Sequence, residues 1–365
     1  MTEAFHLVEA VRRIVIVTRF LSKMAFGILV IPVLAVVLAR DSAGFPQSPS
    51  QDSASSASPF VEADHLLQLG KFTEAIAQLE AMQNQTPPPK GLARELGIAY
   101  YKKSDYLNAI LNLQKALNEN PQDSEAIQLM GLSLYLAGKP GEAIPYLEKV
   151  QTWYSRANVD ASYILGVAYI QSKQYDHARA AFAKMYGVAP DSAAAYLFCA
   201  RVLFRLDFGP VAEEYALKAT ALDPKLPLAH YLLGELYLYQ SKIDQAISQL
   251  QQEIAINPGY ANAYFKLADA NMRLQKFDEA ERLLERSIWL DANSTGPYIL
   301  MGKVLEKKGE TELAVRALQR AISMDPGNAM AHQLLGQAYR TLGQTADAER
   351  QLKEADELTR NPTKP

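Results

Sequence analysis

The residues of this sequence that could take part in catalysis or bind a metal are few and scattered. Five histidines and one cysteine, Cys199, are spread over 365 residues. The sequence contains no HExxH zinc motif, phosphate-binding loop, dinucleotide glycine motif or nucleophile elbow. A single cysteine forms neither an intramolecular disulfide nor a CxxC zinc site. The sequence therefore predicts no catalytic residue, no metal and no cofactor, and we expect a protein that is not an enzyme.

The overall charge argues against nucleic acid as a partner. The chain has 37 basic and 40 acidic residues and a formal net charge of −3, whereas nucleic-acid binding needs a concentrated basic surface. Hydrophobic residues make up 49% of the chain, which is ample material for a folded body. Nucleic acid is therefore excluded as the expected partner.

The N-terminal part of the sequence predicts a targeting segment followed by a linker. Residues 24–39 form an apolar run of sixteen residues without a charge, preceded by Arg19 and Lys23, and we expect this run to be an N-terminal apolar helix. At about 1.5 Å per residue it covers roughly 24 Å, less than the roughly 30 Å hydrocarbon core, so a cleaved signal peptide and a signal anchor both remain open. Basic residues before the run favour export of the rest of the chain. Residues 1–40 are the predicted signal or anchor, and the Ser- and Pro-rich residues 41–58 a flexible linker.

Small residues recur through the rest of the chain with a constant period of about 34 residues, one interval being a single residue longer. They are Ala63, Gly97, Gly131, Gly166, Ala200, Gly234, Ala268, Gly302 and Gly336. Alanines follow each of them after twelve residues, at Ala75, Ala109, Ala143, Ala178, Ala212, Ala246, Ala280, Ala314 and Ala348. Turn glycines such as Gly70 and Gly138 lie between the two series, and prolines such as Pro121 close most repeats. Each unit is therefore predicted to be two closely packed helices joined by a turn.

Residues 96–121, LGIAYYKKSDYLNAILNLQKALNENP, resemble the consensus of the tetratricopeptide-repeat (TPR) family, whose unit has about 34 residues. The resemblance extends over about residues 56–359, and together with the N-terminal apolar segment it leads us to expect an exported or membrane-anchored bacterial type. It implies an all-α fold, a right-handed superhelical solenoid of about nine stacked helix-turn-helix repeats with a concave inner groove. The solenoid is predicted over residues 59–359, with residues 360–365 as a tail.

The register divides the repeat region into nine units of nearly equal length. They are approximately residues 56–89, 90–123, 124–158, 159–192, 193–226, 227–260, 261–294, 295–328 and 329–359. The third unit is one residue longer than the others, and Pro145 lies inside its second helix, where it removes a backbone hydrogen bond. We expect a change of superhelical curvature around residues 145–154.

The resemblance implies that the first helix of each repeat turns one face towards the groove. That face bears aromatic residues and arginines, which are the predicted partner-binding residues. They are Tyr101, Tyr135, Tyr163, Arg201, Phe204, Arg205, Tyr231, Tyr239, Phe265 and Arg273. Packing between first helices is the alternative explanation for each of them.

Six of these residues are expected to converge from three adjacent first helices. The six are Tyr163, Arg201, Phe204, Arg205, Tyr231 and Tyr239. Aromatic and arginine side chains are typical binding anchors, and a peptide with apolar residues flanking an acidic one would suit them. Glu235 and Asp269 lie on the same face, however, where they are placed to neutralise the arginines.

Several polar or reactive residues inside the repeats are predicted to be structural. His230 and His332 share one repeat position, where aromatic residues pack in other repeats, and Cys199 takes a position that is leucine or methionine elsewhere. Glu253 and Asn271 depart from the apolar residues typical of their positions. We interpret these two as polar contacts between neighbouring repeats.

The function predicted from these observations is protein binding. The first interpretation is a scaffold with a peptide-binding groove, acting outside the cytoplasm in the assembly or recruitment of envelope complexes and reaching the membrane only through its N-terminal segment. The alternatives are a substrate-recruiting subunit of an enzyme complex and a self-associating structural solenoid. The partner, the cleavage of the N-terminal segment and the oligomeric state stay open.

Overall fold

The computed structural model describes residues 58–153 and 159–360, and every regular element in these ranges is an α-helix. The chain forms two compact units that divide between Leu129 and Met130. The predicted all-α fold of helix-turn-helix repeats is confirmed over these ranges.

The first unit contains two complete helical hairpins. Its helices are α1 (Val61–Gln68), α2 (Phe72–Met82), α3 (Leu92–Lys102) and α4 (Tyr106–Glu119), and α5 (Ser124–Leu136) crosses the division into the second unit. From α1 to α4, each helix packs against the next one along the chain. Phe60, Leu79 and Leu96 are among the apolar side chains that fill the core between α1, α2 and α3.

The second unit continues the same pattern of paired helices. After α5 it contains α6 (Pro140–Trp153), α7 (Val159–Gln171), α8 (Tyr175–Tyr186), α9 (Ala193–Arg205), α10 (Gly209–Leu222), α11 (Ala229–Tyr239), α12 (Ile243–Ile256), α13 (Ala261–Arg273), α14 (Phe277–Leu290), α15 (Thr295–Lys308), α16 (Thr311–Met324), α17 (Ala329–Thr341) and α18 (Thr345–Arg360). From α6 onwards each helix packs on its successor. In addition, each odd-numbered helix from α9 to α15 contacts the next odd-numbered helix. The first helices from α9 to α17 therefore lie next to one another.

The small residues of the first helices are required by close contact with the second helices. A Cβ atom added to Gly97 would lie 2.7 Å from Leu113 Cγ, and one added to Gly234 would lie 2.6 Å from Leu250 Cγ. Such distances are shorter than packed side chains allow. The sequence-based explanation of the small residues, close approach of two helices within a repeat, is confirmed at these positions.

Each hairpin turns at a residue with a left-handed backbone conformation. These residues are Gly70, Ser104, Gly138, Lys173, Asp207, Ser241, Gln275, Gly309 and Gly343. They recur with the repeat register, but only four of the nine are glycine. Because a Cβ atom makes this conformation costly, the five other residues are held in it by the two helices that they connect.

Pro145 lies inside α6, which continues through it to Trp153. Its effect on curvature stays a prediction, because residues 154–158 lie outside the described ranges. Residues 1–40, most of the predicted linker and residues 361–365 also lie outside them. Within the described ranges, no helix is both long and apolar enough to cross a bilayer.

Candidate binding surface on the first helices

Three first helices of the second unit lie side by side and share one register. Helix α9 contacts α11, and α11 contacts α13. Because the three helices follow the same repeat period, Arg201, Glu235 and Asp269 occupy equivalent positions on them. Arg205 and Arg273 lie one helical turn further on, on α9 and α13. This surface carries most of the residues that the sequence selected.

Two aromatic residues of this surface join α9 to α11. The rings of Phe204 and Tyr239 meet edge to face, with centroids 5.8 Å apart, and the Tyr239 hydroxyl donates a hydrogen bond to Asp207 Oδ1 at 3.3 Å. Tyr239 is nevertheless 67% exposed. The pair therefore presents a fixed and accessible aromatic edge.

Tyr231 and Phe265 are engaged mainly in packing. Tyr231 is only 8% exposed and packs edge to face on Tyr260, with ring centroids 5.0 Å apart. Burial raises the pKa of Tyr231 well above its ordinary value. Phe265 is half-buried against Gly296 of the next repeat, where an added Cβ would lie 3.2 Å from its ring. For these two residues the packing explanation agrees with the structure.

The remaining tyrosines of the predicted groove are partly buried. Tyr163 is half-buried, with its ring 5.9 Å from that of Phe182. Tyr135 is also half-buried, and burial raises its pKa. Tyr101 belongs to the first unit, where burial raises its pKa to about 12 and its ring lies 6.1 Å from Tyr106. The surface formed by α9, α11 and α13 belongs to the second unit and is described without Tyr101.

The carboxylates expected to neutralise the arginines of α9 have other partners. Glu235 pairs with Lys266 at 3.1 Å, and Asp269 pairs with Arg273 at 2.9 Å. Arg273 also donates a hydrogen bond to the backbone oxygen of Leu238 at 3.1 Å. The charged groups of α11 and α13 therefore pair with one another and not with the arginines of α9.

Arg201 and Arg205 differ from Arg273 in having no such partners. Neither forms an ion pair or a hydrogen bond within residues 58–153 and 159–360. Arg201 is half-buried and Arg205 is exposed. They lie one turn apart on α9, so two like charges face the same surface.

Two tyrosines near these arginines were missed by the sequence analysis. Tyr186 ends α8 and stacks near Phe198 of α9, with ring centroids 4.3 Å apart. Burial raises the pKa of Tyr186, while the nearby Arg201 and Arg205 act in the opposite direction. Arg201 similarly opposes the effect of burial on Tyr260, which precedes α13. Neither tyrosine lies on a first helix, so the rule that selected first-helix faces passed over both.

We call this group of residues the arginine site. It consists of Tyr186, Arg201, Arg205 and Tyr260, and the buried rings of Phe198 and Tyr231 pack against its two tyrosines. It offers two guanidinium groups with ten potential hydrogen-bond donors between aromatic rings. Such a site is suited to binding a carboxylate and the apolar groups beside it.

The interpretation of Glu253 and Asn271 as contacts between repeats was wrong. Glu253, on α12, is 0% exposed and accepts hydrogen bonds from the backbone N–H groups of Leu228 at 2.9 Å and Tyr231 at 3.3 Å. It therefore caps the N-terminus of α11, the other helix of its own repeat. Asn271 donates to the backbone oxygen of Leu267 within α13, at 2.8 Å. Both residues satisfy polar groups inside one repeat.

The histidines and the cysteine have structural surroundings, as predicted. His230 lies 2.7 Å from Gln249 Oε1 and 3.1 Å from the Pro224 oxygen, and His332 makes the equivalent contacts three repeats later. Cys199 is buried, and burial raises its pKa to about 12. Among the described residues, no three potential ligands form a cluster that could hold a metal ion.

Comparisons with known families identify repeats along most of the described chain. The family model described as tetratricopeptide repeat protein 21 N-terminal ARM repeat matches residues 98–315. The model described as tetratricopeptide repeat matches residues 60–124 and 299–364. A comparison with curated proteins finds no match.

Several solved structures resemble about half of the chain. MamA is 26% identical, covering 46% of this chain and 97% of its own, with a TM-score of 0.42. PilF of Pseudomonas aeruginosa is 21% identical, covering 56% of this chain and 93% of its own, with a TM-score of 0.46. YrrB, a TPR protein with an unusual peptide-binding site, is 21% identical, covering 47% of this chain and 88% of its own, with a TM-score of 0.41.

Proposed function

Because the chain belongs to the tetratricopeptide-repeat family, we propose that it is a non-catalytic scaffold that binds a segment of another protein. TPR proteins act in protein–protein interaction, and in repeat proteins the stacked units supply an extended surface for it. We place the binding surface on α9, α11 and α13 of the second unit. The substrate-recruiting subunit of an enzyme complex is a special case of the same activity.

The observation that carries this proposal is the state of the aromatic and arginine side chains on this surface. Tyr239 is held in place against Phe204 and yet remains largely exposed, and the neighbouring Arg205 is exposed without a partner in the described ranges. Tyrosine and arginine are the residue types enriched at binding hot spots, because they bury large areas at a small entropic cost. Side chains that served only to pack the helices together would be buried and not exposed to solvent.

The test is affinity capture from membrane extracts with the full chain as bait, followed by titration calorimetry with the captured partner. We expect Phe204→Ala and Tyr239→Ala each to weaken binding by about 1 to 3 kcal/mol. Trp289→Ala is the matched control, since Trp289 is an aromatic residue 70% exposed on a second helix, α14. Equal affinities of the wild type and both surface variants would move the binding surface elsewhere.

We further propose that the repeats act outside the cytoplasm, exported or anchored by residues 1–40. The support is the order of the sequence, in which the basic residues Arg19 and Lys23 precede the apolar run at residues 24–39. A reporter active only in the cytoplasm, fused after Pro365, should be inactive, and its activity would refute the orientation. N-terminal sequencing of the mature protein then decides between cleavage and anchoring.

A further inference from the structure

The arginine site limits the kind of segment that the scaffold can bind. We infer that it recognises an internal acidic residue, Asp or Glu, of an extended partner segment that has apolar residues on both sides of that residue. This inference rests on the proposed function and names the chemistry of its partner. It depends on two observations, the distribution of the charges and the position of the aromatic rings.

In the described part of the chain, the ion pairs of this surface leave the two arginines of α9 without an anionic partner. On the same surface, Glu235 is paired with Lys266 and Asp269 with Arg273. Arg201 is half-buried, and within the described ranges no carboxylate lies within ion-pair distance of it or of Arg205. Partial burial of an unpaired guanidinium is unfavourable, as is the proximity of two like charges one turn apart. A bound carboxylate would relieve both, because a guanidinium offers it two parallel hydrogen bonds.

The position of the aromatic rings indicates that the partner chain continues beyond the acidic residue. Tyr186, which is half-buried, contacts the buried ring of Phe198 on the side of α9 that faces the preceding repeat. Tyr260, which is half-buried, packs edge to face on the buried ring of Tyr231 on the side of the following repeat. A segment that passes along the first helices therefore meets the accessible part of Tyr186 before the arginines and that of Tyr260 after them. A chain end would leave one of these surfaces unused, so we assign the carboxylate to a side chain within the segment.

The test uses a random library of twelve-residue peptides whose two ends are both joined to a carrier, so that no peptide has a terminal carboxylate. The library is selected for binding to the full chain. The same selection on the Phe204→Ala/Tyr239→Ala double variant defines the background. We expect the wild type to enrich peptides in which one Asp or Glu has apolar neighbours on both sides.

The other outcomes of the selection separate the inference from the proposed function. Enrichment above background of peptides without an acidic residue would overturn the inference while leaving the scaffold function in place. Failure of the wild type to enrich anything beyond the double variant would overturn both.

A selected peptide then tests the two arginines directly by fluorescence anisotropy. We expect Arg201→Ala and Arg205→Ala each to weaken binding about tenfold or more. Replacement of the acidic residue of the peptide by its amide should cause a similar loss in the wild type and little further loss in these variants. Arg273→Ala is the matched control, because Arg273 is an arginine of the same surface already paired with Asp269. An effect of Arg273→Ala equal to that of the α9 variants would contradict the assignment.

Discussion

The same surface of the second unit differs sharply between α9 and α13. Helix α13 carries Asp269 and Arg273, which pair with each other at 2.9 Å, and Lys266, which pairs with Glu235 of α11 at 3.1 Å. Helix α9 carries Arg201 and Arg205 at the equivalent positions. Neither has a partner in the described part of the chain. Equivalent positions on stacked repeats thus provide a closed ion-pair network on one helix and open cationic groups on another.

The difference shows that charge composition does not decide what a repeat surface can bind. The surface formed by α9, α11 and α13 contains four basic and two acidic residues, and a count alone does not say which of the basic groups are paired. Glu235 lies within reach of α13 and is taken by Lys266, so it is not available to α9. Which charged side chains are free to bind a partner therefore depends on which ion pairs the fold allows. Helix α11 stands between the two regions and its integrity affects both.

The largest effect is expected from Gly234→Ala, which should displace α11 from α12 and so disturb both regions. The added Cβ would lie 2.6 Å from Leu250 Cγ, and the resulting overpacking should lower the free energy of unfolding by about 2 to 3 kcal/mol. Gly209→Ala, at a helical glycine with open space around it, is the control and should have little effect. Urea unfolding followed by circular dichroism measures both, and equal midpoints would contradict the close contact.

A somewhat smaller effect is expected from Glu253→Ala, which removes the cap of α11. The backbone N–H groups of Leu228 and Tyr231 would lose their acceptor, which should cost about 1 to 2 kcal/mol. Glu253→Gln keeps an acceptor oxygen and should cost less in the same urea titration.

The Glu253→Gln variant should also change the pH dependence of stability. Burial raises the pKa of Glu253 above its ordinary value of 4.5, so the folded protein holds this proton more tightly than the unfolded chain. Stability from this source is fully present below pH 4.5 and is lost as the pH rises through the folded pKa. Glutamine does not ionise, so the variant does not lose stability in this way as the pH rises. Relative to the wild type, the variant should therefore be more stable at pH 7 than at pH 4, and a constant difference between the two would refute the assignment.

Lys266→Met is expected to break the ion pair between α11 and α13 and to leave the carboxylate of Glu235 free to pair with the arginines of α9. Removal of the ammonium group releases Glu235, which occupies the position equivalent to Arg201 on the neighbouring helix. Binding of a selected acidic peptide should fall several-fold, whereas the free energy of unfolding should change by no more than about 1 kcal/mol, because the pair is partly exposed. The second substitution Glu235→Gln should restore binding in anisotropy titrations. No restoration would mean that Lys266 itself contributes to the site.

The smallest effect is expected at the turn that follows α13. Gln275 has a φ of 59°, and the left-handed conformation costs a residue with a Cβ atom about 1 to 2 kcal/mol. Gln275→Gly removes this cost but adds entropy to the unfolded chain, leaving a gain of about 0.5 to 1 kcal/mol. Gly309→Ala, at the equivalent turn with a φ of 81°, should change stability in the opposite direction. The melting temperature should therefore rise in Gln275→Gly and fall in Gly309→Ala.

The sequence by itself determined the architecture of the described repeats. The period of the small residues marks where Gly97 and Gly234 admit a neighbouring helix, and the structure shows leucine side chains in those places. The same period predicted that His230 and His332 pack within repeats. These features are local, since they depend on which residues share a helical face and on the space next to it.

Only the tertiary structure decided which side chains remain available for binding. Tyr231 and Tyr239 lie on the same helix, yet one is buried against Tyr260 and the other is largely exposed. The pairing of Glu235 with Lys266 and the contribution of Tyr186 from a second helix are equally invisible in the register. The physical reason is that ion pairs and ring contacts form within a few ångströms, between rotamers of different helices. Sequence periodicity places a residue on a face but does not specify which neighbour it will contact there.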